Sequence, residues 1–103
     1  MTLVAILTVR SAARHSFHAF EKKAYAVMSK YGGTIERTVT IPEKPGQDHF
    51  QEVHILRFPS EEAFSRYRAD EELKAVAPER ERSVIATQIL VGVDGPDYGA
   101  ALE

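Results

Sequence analysis

The stretch from Gln51 to Arg82, QEVHILRFPSEEAFSRYRADEELKAVAPERER, decides the fold of this chain. Its first eight residues alternate in polarity and are rich in β-branched and aromatic side chains, which predicts a β-strand. Pro59 and Ser60 follow at once. Ser60 is the expected N-cap of a helix, because Glu61 and Glu62 then lie in the first turn at the positive end of the helix dipole. The stretch therefore predicts a strand that leads directly into a helix.

The remainder of this stretch predicts an interrupted helical region. Ala69-Asp70 breaks the helical pattern, and a second short helical segment is expected to reach Pro78, where the chain should bend. The charged run Glu79–Arg82 that follows is typical of a solvated surface.

Residues upstream predict a central strand and a long helix. Leu3–Val9 is apolar at nearly every position, which is typical of a strand that is covered on both faces. Ser11 is expected to cap a helix that runs to about Tyr31, and Gly32-Gly33 should end this helix because glycine readily adopts the left-handed conformation. The helix carries an apolar stripe at three- and four-residue steps, formed by Ala13, Phe17, Phe20, Ala24, Val27, Met28 and Tyr31.

Two further strands complete the pattern, and the strand of the opening stretch extends back to His49. Thr34–Ile41 alternates as an edge strand does, Pro42–Asp48 has the composition of a loop, and His49–Phe58 is the expected hairpin partner. Val84–Val93 is a final strand that is apolar on both faces.

The order of these elements predicts an α+β fold, a ferredoxin-like βαββαβ sandwich with a four-stranded antiparallel sheet, strand order 4-1-3-2 and the helices on one face. Because the first and last strands are apolar on both faces and helices can cover only one, we expect a homodimer built by sheet packing. Simple alternation along the last strand places Val84 on the same side as Ala86 and Leu90.

The domain is expected to cover residues 1–93. The remaining segment, 94–103, carries two glycines and a proline and is expected to be an irregular C-terminal tail. One interpretation of its final Leu102-Glu103 pair is a remnant of cloning.

Composition and motifs exclude several classes of function. The 103 residues include 13 basic and 15 acidic side chains for a net charge of -2, so we expect no nucleic-acid partner and no membrane partner. The absence of cysteine removes disulfides and thiolate nucleophiles and fits a cytoplasmic location. No HExxH, GxSxG, P-loop or GxGxxG pattern occurs, and we expect no metal site.

Several short motifs are shared with a known group of proteins. They are Tyr31-Gly32-Gly33, Phe58-Pro59-Ser60, Glu62-Ala63, Tyr67, Glu72, Ala75, Pro78 and Arg80-Glu81. On these residues the chain resembles a bacterial family of uncharacterised small proteins, a domain-of-unknown-function family with the dimeric α/β-barrel form of the ferredoxin-like fold. The likeness extends over nearly the whole chain to Val93 and is ungapped from Phe58 to Glu81.

This resemblance implies a homodimer in which two sheets pack face to face, with the helices outside and a pocket between each sheet and its own helices. Relatives in fold are antibiotic-biosynthesis monooxygenases and EthD-like proteins. The resemblance assigns no catalytic residue, so candidates come from the chain itself.

His54 and Glu52 are the candidate catalytic residues. Phe50, Glu52, His54, Leu56 and Phe58 share one face of the predicted strand, so the imidazole and the carboxylate are neighbours. A histidine beside a carboxylate can act as a general base. The alternative is a structural histidine, exposed or hydrogen-bonded in the dimer interface.

Three more residues are candidate ligand-binding residues. His18 flanks the apolar stripe of the first predicted helix, whereas Tyr67 and Arg80 lie in the stretch that carries the resemblance. Arg57 lies on the other face of its strand, where a salt bridge with the partner chain is expected.

Three functions remain open. The first is an enzyme, either a cofactor-independent oxygenase or an isomerase, that acts on a small hydrophobic organic molecule with His54 as base and Glu52 as the residue that orients it. The second is a non-catalytic homodimer that binds a small molecule or a protein. The third is haem binding through His18, while the first two require no cofactor.

Overall fold

The computed structural model describes residues 1–100 and consists of one four-stranded antiparallel sheet with helices packed against it. Leu102 and Glu103, the pair interpreted as a cloning remnant, lie outside the described residues. The strands are β1 (Thr2–Arg10), β2 (Thr34–Ile41), β3 (His49–Arg57) and β4 (Val84–Gly92). The helices are α1 (Arg14–Ser29), α2 (Glu61–Arg68), α3 (Glu71–Ala75) and α4 (Ala77–Ser83).

The sheet has the order β2-β3-β1-β4, so the predicted strand order and the ferredoxin-like βαββαβ fold are confirmed. β1 lies in the middle and pairs antiparallel with both β3 and β4. Its register with β3 places Ala5 opposite His54 and Leu7 opposite Glu52, so the candidate catalytic residues lie at the centre of the sheet.

The core lies between the sheet and α1. Alternate residues of β1 and β3 are buried against the apolar stripe of α1, which is confirmed as a core stripe because Phe17, Phe20, Ala24, Val27 and Met28 are buried. The largest fully buried side chains of the cluster are those of Phe17, Phe50 and Phe58. Burial of this apolar area is the main source of stability in a domain of this size.

The other face of the sheet is apolar and partly exposed. Register places Ile55 and Leu90 on either side of Val4, and Val53 beside Ile6, all pointing away from the helices. Leu90 is 49% exposed and Val39, which pairs with Val53, is 40% exposed. This surface, formed by Val4, Ile6, Val39, Val53, Ile55 and Leu90, is called the open face below.

One predicted detail of the first half is wrong. Ser11 does not cap α1, because it lies in a short 3-10 turn, Ser11–Ala13, that precedes the helix. Its backbone N–H bonds the carbonyl of Asp48 at 2.8 Å and its hydroxyl donates to Glu43 Oε2 at 2.6 Å, so its polar groups serve the neighbouring loop.

Arg57 forms ion pairs within its own chain. Its guanidinium pairs with Glu36 and with Asp94, the latter at 3.0 Å between Nη2 and Oδ2. Both carboxylates are in the same chain, and the salt bridge to a partner chain expected for Arg57 stays a prediction.

Alternation also misplaced Val84. The β1–β4 register shifts between Thr8 and Val9, and this irregularity brings Val84 opposite Val9 on the helix face, where it is buried. A bulge adds one residue to a strand and therefore reverses the face of everything beyond it.

The helical region after β3 follows its predicted breaks. Ser60 caps α2, since its hydroxyl accepts from the N–H of Ala63 at 3.1 Å. Asp70 caps α3 by accepting from the N–H groups of Glu72 and Leu73, which confirms the break at Ala69-Asp70. The charged run at 79–82 belongs to α4, where Glu81 and Arg82 are exposed as predicted and Glu79 and Arg80 are partly buried. Pro78 lies in the first turn of this helix, where no backbone N–H is needed.

Within residues 1–100, no helix has both the length and the apolar character needed to cross a membrane.

Candidate functional site

A cavity of about 370 Å³ lies between the sheet and the helices. Strand residues Ala5, Leu7, Leu56 and Ile89 contribute apolar surface, and Phe20, Ala24 and Met28 contribute more from α1. The polar and charged residues in its lining are Glu21, His54, Tyr67, Arg68, Lys74, Arg80 and Thr87. An apolar cavity with a few polar groups is the usual form of a small-molecule site.

The cavity exists because α2, α3 and α4 pack loosely against the sheet. α2, α3 and α4 are short, and Ser83 is the one residue of these helices that is buried. Phe64 and Tyr67 pack against the core cluster from its edge and are only partly buried. The gap beneath these helices is therefore a direct consequence of the breaks at Asp70 and Pro78.

His54 and Glu52 form a buried pair on β3. Their side chains are 5% and 7% exposed, and His54 Nε2 lies 2.7 Å from Glu52 Oε1. A carboxylate can only accept, so with Glu52 ionised the Nε2–H of His54 donates this hydrogen bond. Nδ1 then remains as an acceptor, and His54 lines the cavity. The predicted neighbourhood of these two residues is thus observed, on the helix face.

Glu21 completes this group and was not identified from the sequence. It lies on α1 with Oε2 at 3.9 Å from His54 Nδ1, and it lines the cavity. Burial raises the pKa of the Glu21 carboxyl above its ordinary value, and the neighbouring His54 is the largest opposing influence. The signal in the sequence was its position, because Phe17, Glu21, Ala24 and Met28 follow each other at helical steps along one stripe.

His18 is close to the pair but outside the cavity. Its Nε2 lies 3.2 Å from Glu52 Oε2, and its side chain is 50% exposed. Its ring also lies beside those of Phe17 and Phe50. His18 therefore contacts the second oxygen of Glu52, where it can position the carboxylate. Because His18 does not line the cavity, it cannot ligate a haem iron bound there.

Tyr67 lines the cavity from α2. Burial raises the pKa of Tyr67 to about 12, and the negative charge of Glu21 acts in the same direction. The phenol therefore keeps its proton at neutral pH and is a hydrogen-bond donor for a ligand.

Arg80 lines the cavity from α4, where its Nη2 donates to the hydroxyl of Thr87. Tyr67 and Arg80, both predicted as ligand-binding residues, are thus brought together at the same cavity as His54. Among residues 1–100, no group of three or more His, Cys, Asp or Glu side chains is arranged to hold a metal ion.

A family model described as Domain of unknown function (DUF1330) matches residues 3–94. No curated protein matches the chain.

Solved structures share the fold at low sequence identity. A protein of unknown function from Rhodopseudomonas palustris is 17% identical, with a TM-score of 0.70 over 91% of this chain and 84% of that one. A variant of SnoaB, a cofactor-independent oxygenase from Streptomyces nogalater, is 16% identical, with a TM-score of 0.63 over 96% of each chain. A candidate antibiotic biosynthesis monooxygenase from Bacteroides thetaiotaomicron is 14% identical, with a TM-score of 0.66 over 100% of this chain and 95% of that one.

Proposed function

The chain belongs to the family Domain of unknown function (DUF1330), and we propose that it is a small enzyme that removes a proton from a small hydrophobic organic molecule bound in the cavity. The His54–Glu52 pair carries this proposal. It combines a buried imidazole, a short bond to a buried carboxylate and a place in the lining of a largely apolar cavity.

The proposed step is a proton transfer to His54. Glu52 accepts the Nε2–H bond and so orients the ring, while Nδ1 takes the proton from a C–H group next to a carbonyl of the substrate. The electron pair of the broken bond stays on the substrate as an enolate. Return of the proton to a different carbon gives an isomerase. In a cofactor-independent oxygenase, molecular oxygen is the oxidant: a C–O bond forms at the enolate carbon, and the resulting peroxide takes the proton back from His54 to give a hydroperoxide.

The other site residues support this step in different ways. Tyr67, with its pKa raised to about 12, is proposed to donate to the developing enolate oxygen. Arg80 is proposed to bind the ligand, and His18 to position Glu52 through its second oxygen. SnoaB, which shares the fold, is a cofactor-independent oxygenase, and this makes oxygen chemistry a reasonable form of the reaction.

Exchange of substrate protons with solvent tests the proposal without knowledge of the natural substrate. The probe is 2-tetralone, a neutral bicyclic ketone with acidic C–H groups, followed by proton NMR in D₂O with and without protein. We expect loss of its α-proton signals above the buffer rate, and a decrease of about 100-fold or more in His54→Ala, the scale of general-base catalysis.

Two matched variants control this experiment. His15→Ala removes an exposed histidine of α1 and should leave the exchange rate unchanged. His54→Gln keeps much of the side-chain volume and a hydrogen bond to Glu52, so it serves if the alanine variant folds poorly. Exchange that survives in folded His54→Gln contradicts the proposal, and binding of 2-tetralone without any exchange supports the non-catalytic binding protein instead.

The open face supports a further proposal, a homodimer in which two sheets pack face to face. Its apolar side chains would otherwise form a contiguous exposed patch of a kind that monomers seldom keep. Light scattering should give twice 11.5 kDa, and Ile6→Glu should give monomeric or insoluble protein, while Lys44→Glu in the exposed loop leaves the mass unchanged. A mass of 11.5 kDa for the unmodified chain at micromolar concentration contradicts the dimer.

A further inference from the structure

Charged side chains are distributed unevenly around the cavity. Arg68, Lys74 and Arg80 line it from α2, α3 and α4, whereas Glu21 is the one acidic residue in the lining within residues 1–100. The whole chain carries a net charge of -2, so this local excess of positive charge does not follow from the overall composition. A local excess of positive charge around a cavity attracts anionic ligands.

Arg80 is the most available of these cations. Lys74 pairs with Glu71 at 3.7 Å, and the guanidinium of Arg68 lies 5.6 Å from the centre of the Phe64 ring. The guanidinium of Arg80 bonds the hydroxyl of Thr87 and forms no ion pair with a carboxylate of residues 1–100. It is partly buried and keeps donors free in the fork geometry that matches a carboxylate.

We propose that the natural ligand of the cavity is a small aromatic or alicyclic carboxylic acid, whose carboxylate binds Arg80 and whose ring packs on the apolar residues beside His54. This inference rests on the proposed function, because it names the class of substrate for the same site. A volume of about 370 Å³ lies near the lower end of the range for small-molecule sites, about 300–1,000 Å³, so the ring system is small.

Glu21 does not oppose such an anion at every pH. Burial raises the pKa of Glu21, so its neutral form becomes accessible more easily than that of a surface carboxyl. When protonated, Glu21 can donate a hydrogen bond and does not repel a carboxylate.

Binding of matched probes tests the inference. The probes are 2-naphthoate and its neutral isostere 2-naphthamide, titrated by calorimetry into the unmodified protein. We expect the acid to bind about 10-fold more tightly than the amide, the scale of one charge-assisted interaction. Arg80→Gln should remove most of this preference, because the acid loses much more affinity than the amide.

Two further variants keep the test decisive. Arg66→Gln removes an exposed arginine of α2 that pairs with Glu62 outside the cavity, and it should retain the preference. Arg80→Lys keeps the positive charge without the forked donors of the guanidinium, so its preference for the acid over the amide should be intermediate. This variant also serves if Arg80→Gln folds poorly. Equal affinity for acid and amide, equal loss of both in Arg80→Gln, or no binding of the acid at millimolar concentration would overturn the inference.

The two proposals can fail separately. Proton exchange is measured with 2-tetralone, which carries no acid group, so His54-dependent exchange without a preference for 2-naphthoate leaves the proposed function standing and removes the inference. A preference for 2-naphthoate that depends on Arg80, without exchange of 2-tetralone, leaves an acid-binding protein with no proton-transfer activity.

Discussion

The two βαβ halves of the chain share a topology but pack in opposite ways. In the first half, α1 is one helix of 16 residues and buries Phe17, Phe20, Ala24, Val27 and Met28. In the second half, α2, α3 and α4 occupy the corresponding place and bury only Ser83. The first half therefore forms most of the core, and the second half leaves the cavity.

The two halves pack differently because the helical region of the second half is interrupted. α1 has no interruption, so its apolar stripe is continuous over four turns and packs as a unit. Asp70 and Pro78 restart the helix twice in the second half, and no stripe persists long enough to close on the sheet. Poor packing lowers the stability of a region, and functional sites commonly lie in regions of low stability.

The strongest test of this contrast compares one phenylalanine from each half. Phe17→Ala should lower the free energy of unfolding by about 3–5 kcal/mol, because this fully buried ring packs edge-on against Phe50. Phe64→Ala, from partly buried α2, should cost about 1 kcal/mol, the ordinary effect of a substitution outside a packed core. Urea unfolding of both variants gives the comparison, and equal losses would contradict the division into a packed and a loose half.

Substitution of two glycines by alanine should also distinguish a tightly packed position from an open one, with a smaller loss of stability. A Cβ on Gly33 would lie 2.4 Å from Met28 Cγ and 2.6 Å from Phe58 Cε1, both in the core, so Gly33→Ala should cost about 1–3 kcal/mol through overpacking. A Cβ on Gly92 meets nothing within 4 Å, so Gly92→Ala should be neutral or slightly stabilising. Thermal unfolding measures both, and a harmless Gly33→Ala would show that the first half is less tightly packed.

The smallest of the three effects concerns the buried acid beside His54. Burial raises the pKa of Glu21, so its contribution to stability is fully present below its unfolded value of 4.5 and is lost as the pH rises through the folded value. Glu21→Gln should therefore be more stable than the unmodified protein at pH 7, and this difference should disappear below pH 4.5.

Unfolding at several pH values checks this dependence. Glu81→Gln, at an exposed position of α4, is the control and should change stability little at any pH. A destabilising Glu21→Gln at pH 7 would mean that the attraction between Glu21 and His54 outweighs the cost of burying the carboxylate.

Local patterns in the sequence predicted most of the fold. Alternation in β3 placed Glu52 and His54 on one face, helical periodicity predicted the core stripe of α1, and Ser60 was recognised as a cap. These features depend on near neighbours in sequence, and the structure confirms them for that reason.

The remaining features depend on contacts between distant residues. Ser11 has the chemistry of a cap, but its groups bond Asp48 and Glu43 across the hairpin loop. Arg57 forms ion pairs with Glu36 on β2 and with Asp94 beyond β4. Glu21 was overlooked because the sequence of α1 alone does not show that the fold places His54 of β3 beside this carboxylate.

In the proposed function, ligands bind in the cavity beneath α2, α3 and α4, beside His54, and not on the open face. Methyl-labelled protein titrated with 2-tetralone tests this most directly by NMR. We expect shift changes at the methyl groups of Ala24, Leu56 and Ile89, which line the cavity, with those of Val53 and Leu90 on the open face unaffected. Changes confined to Val53 and Leu90 would contradict the claim.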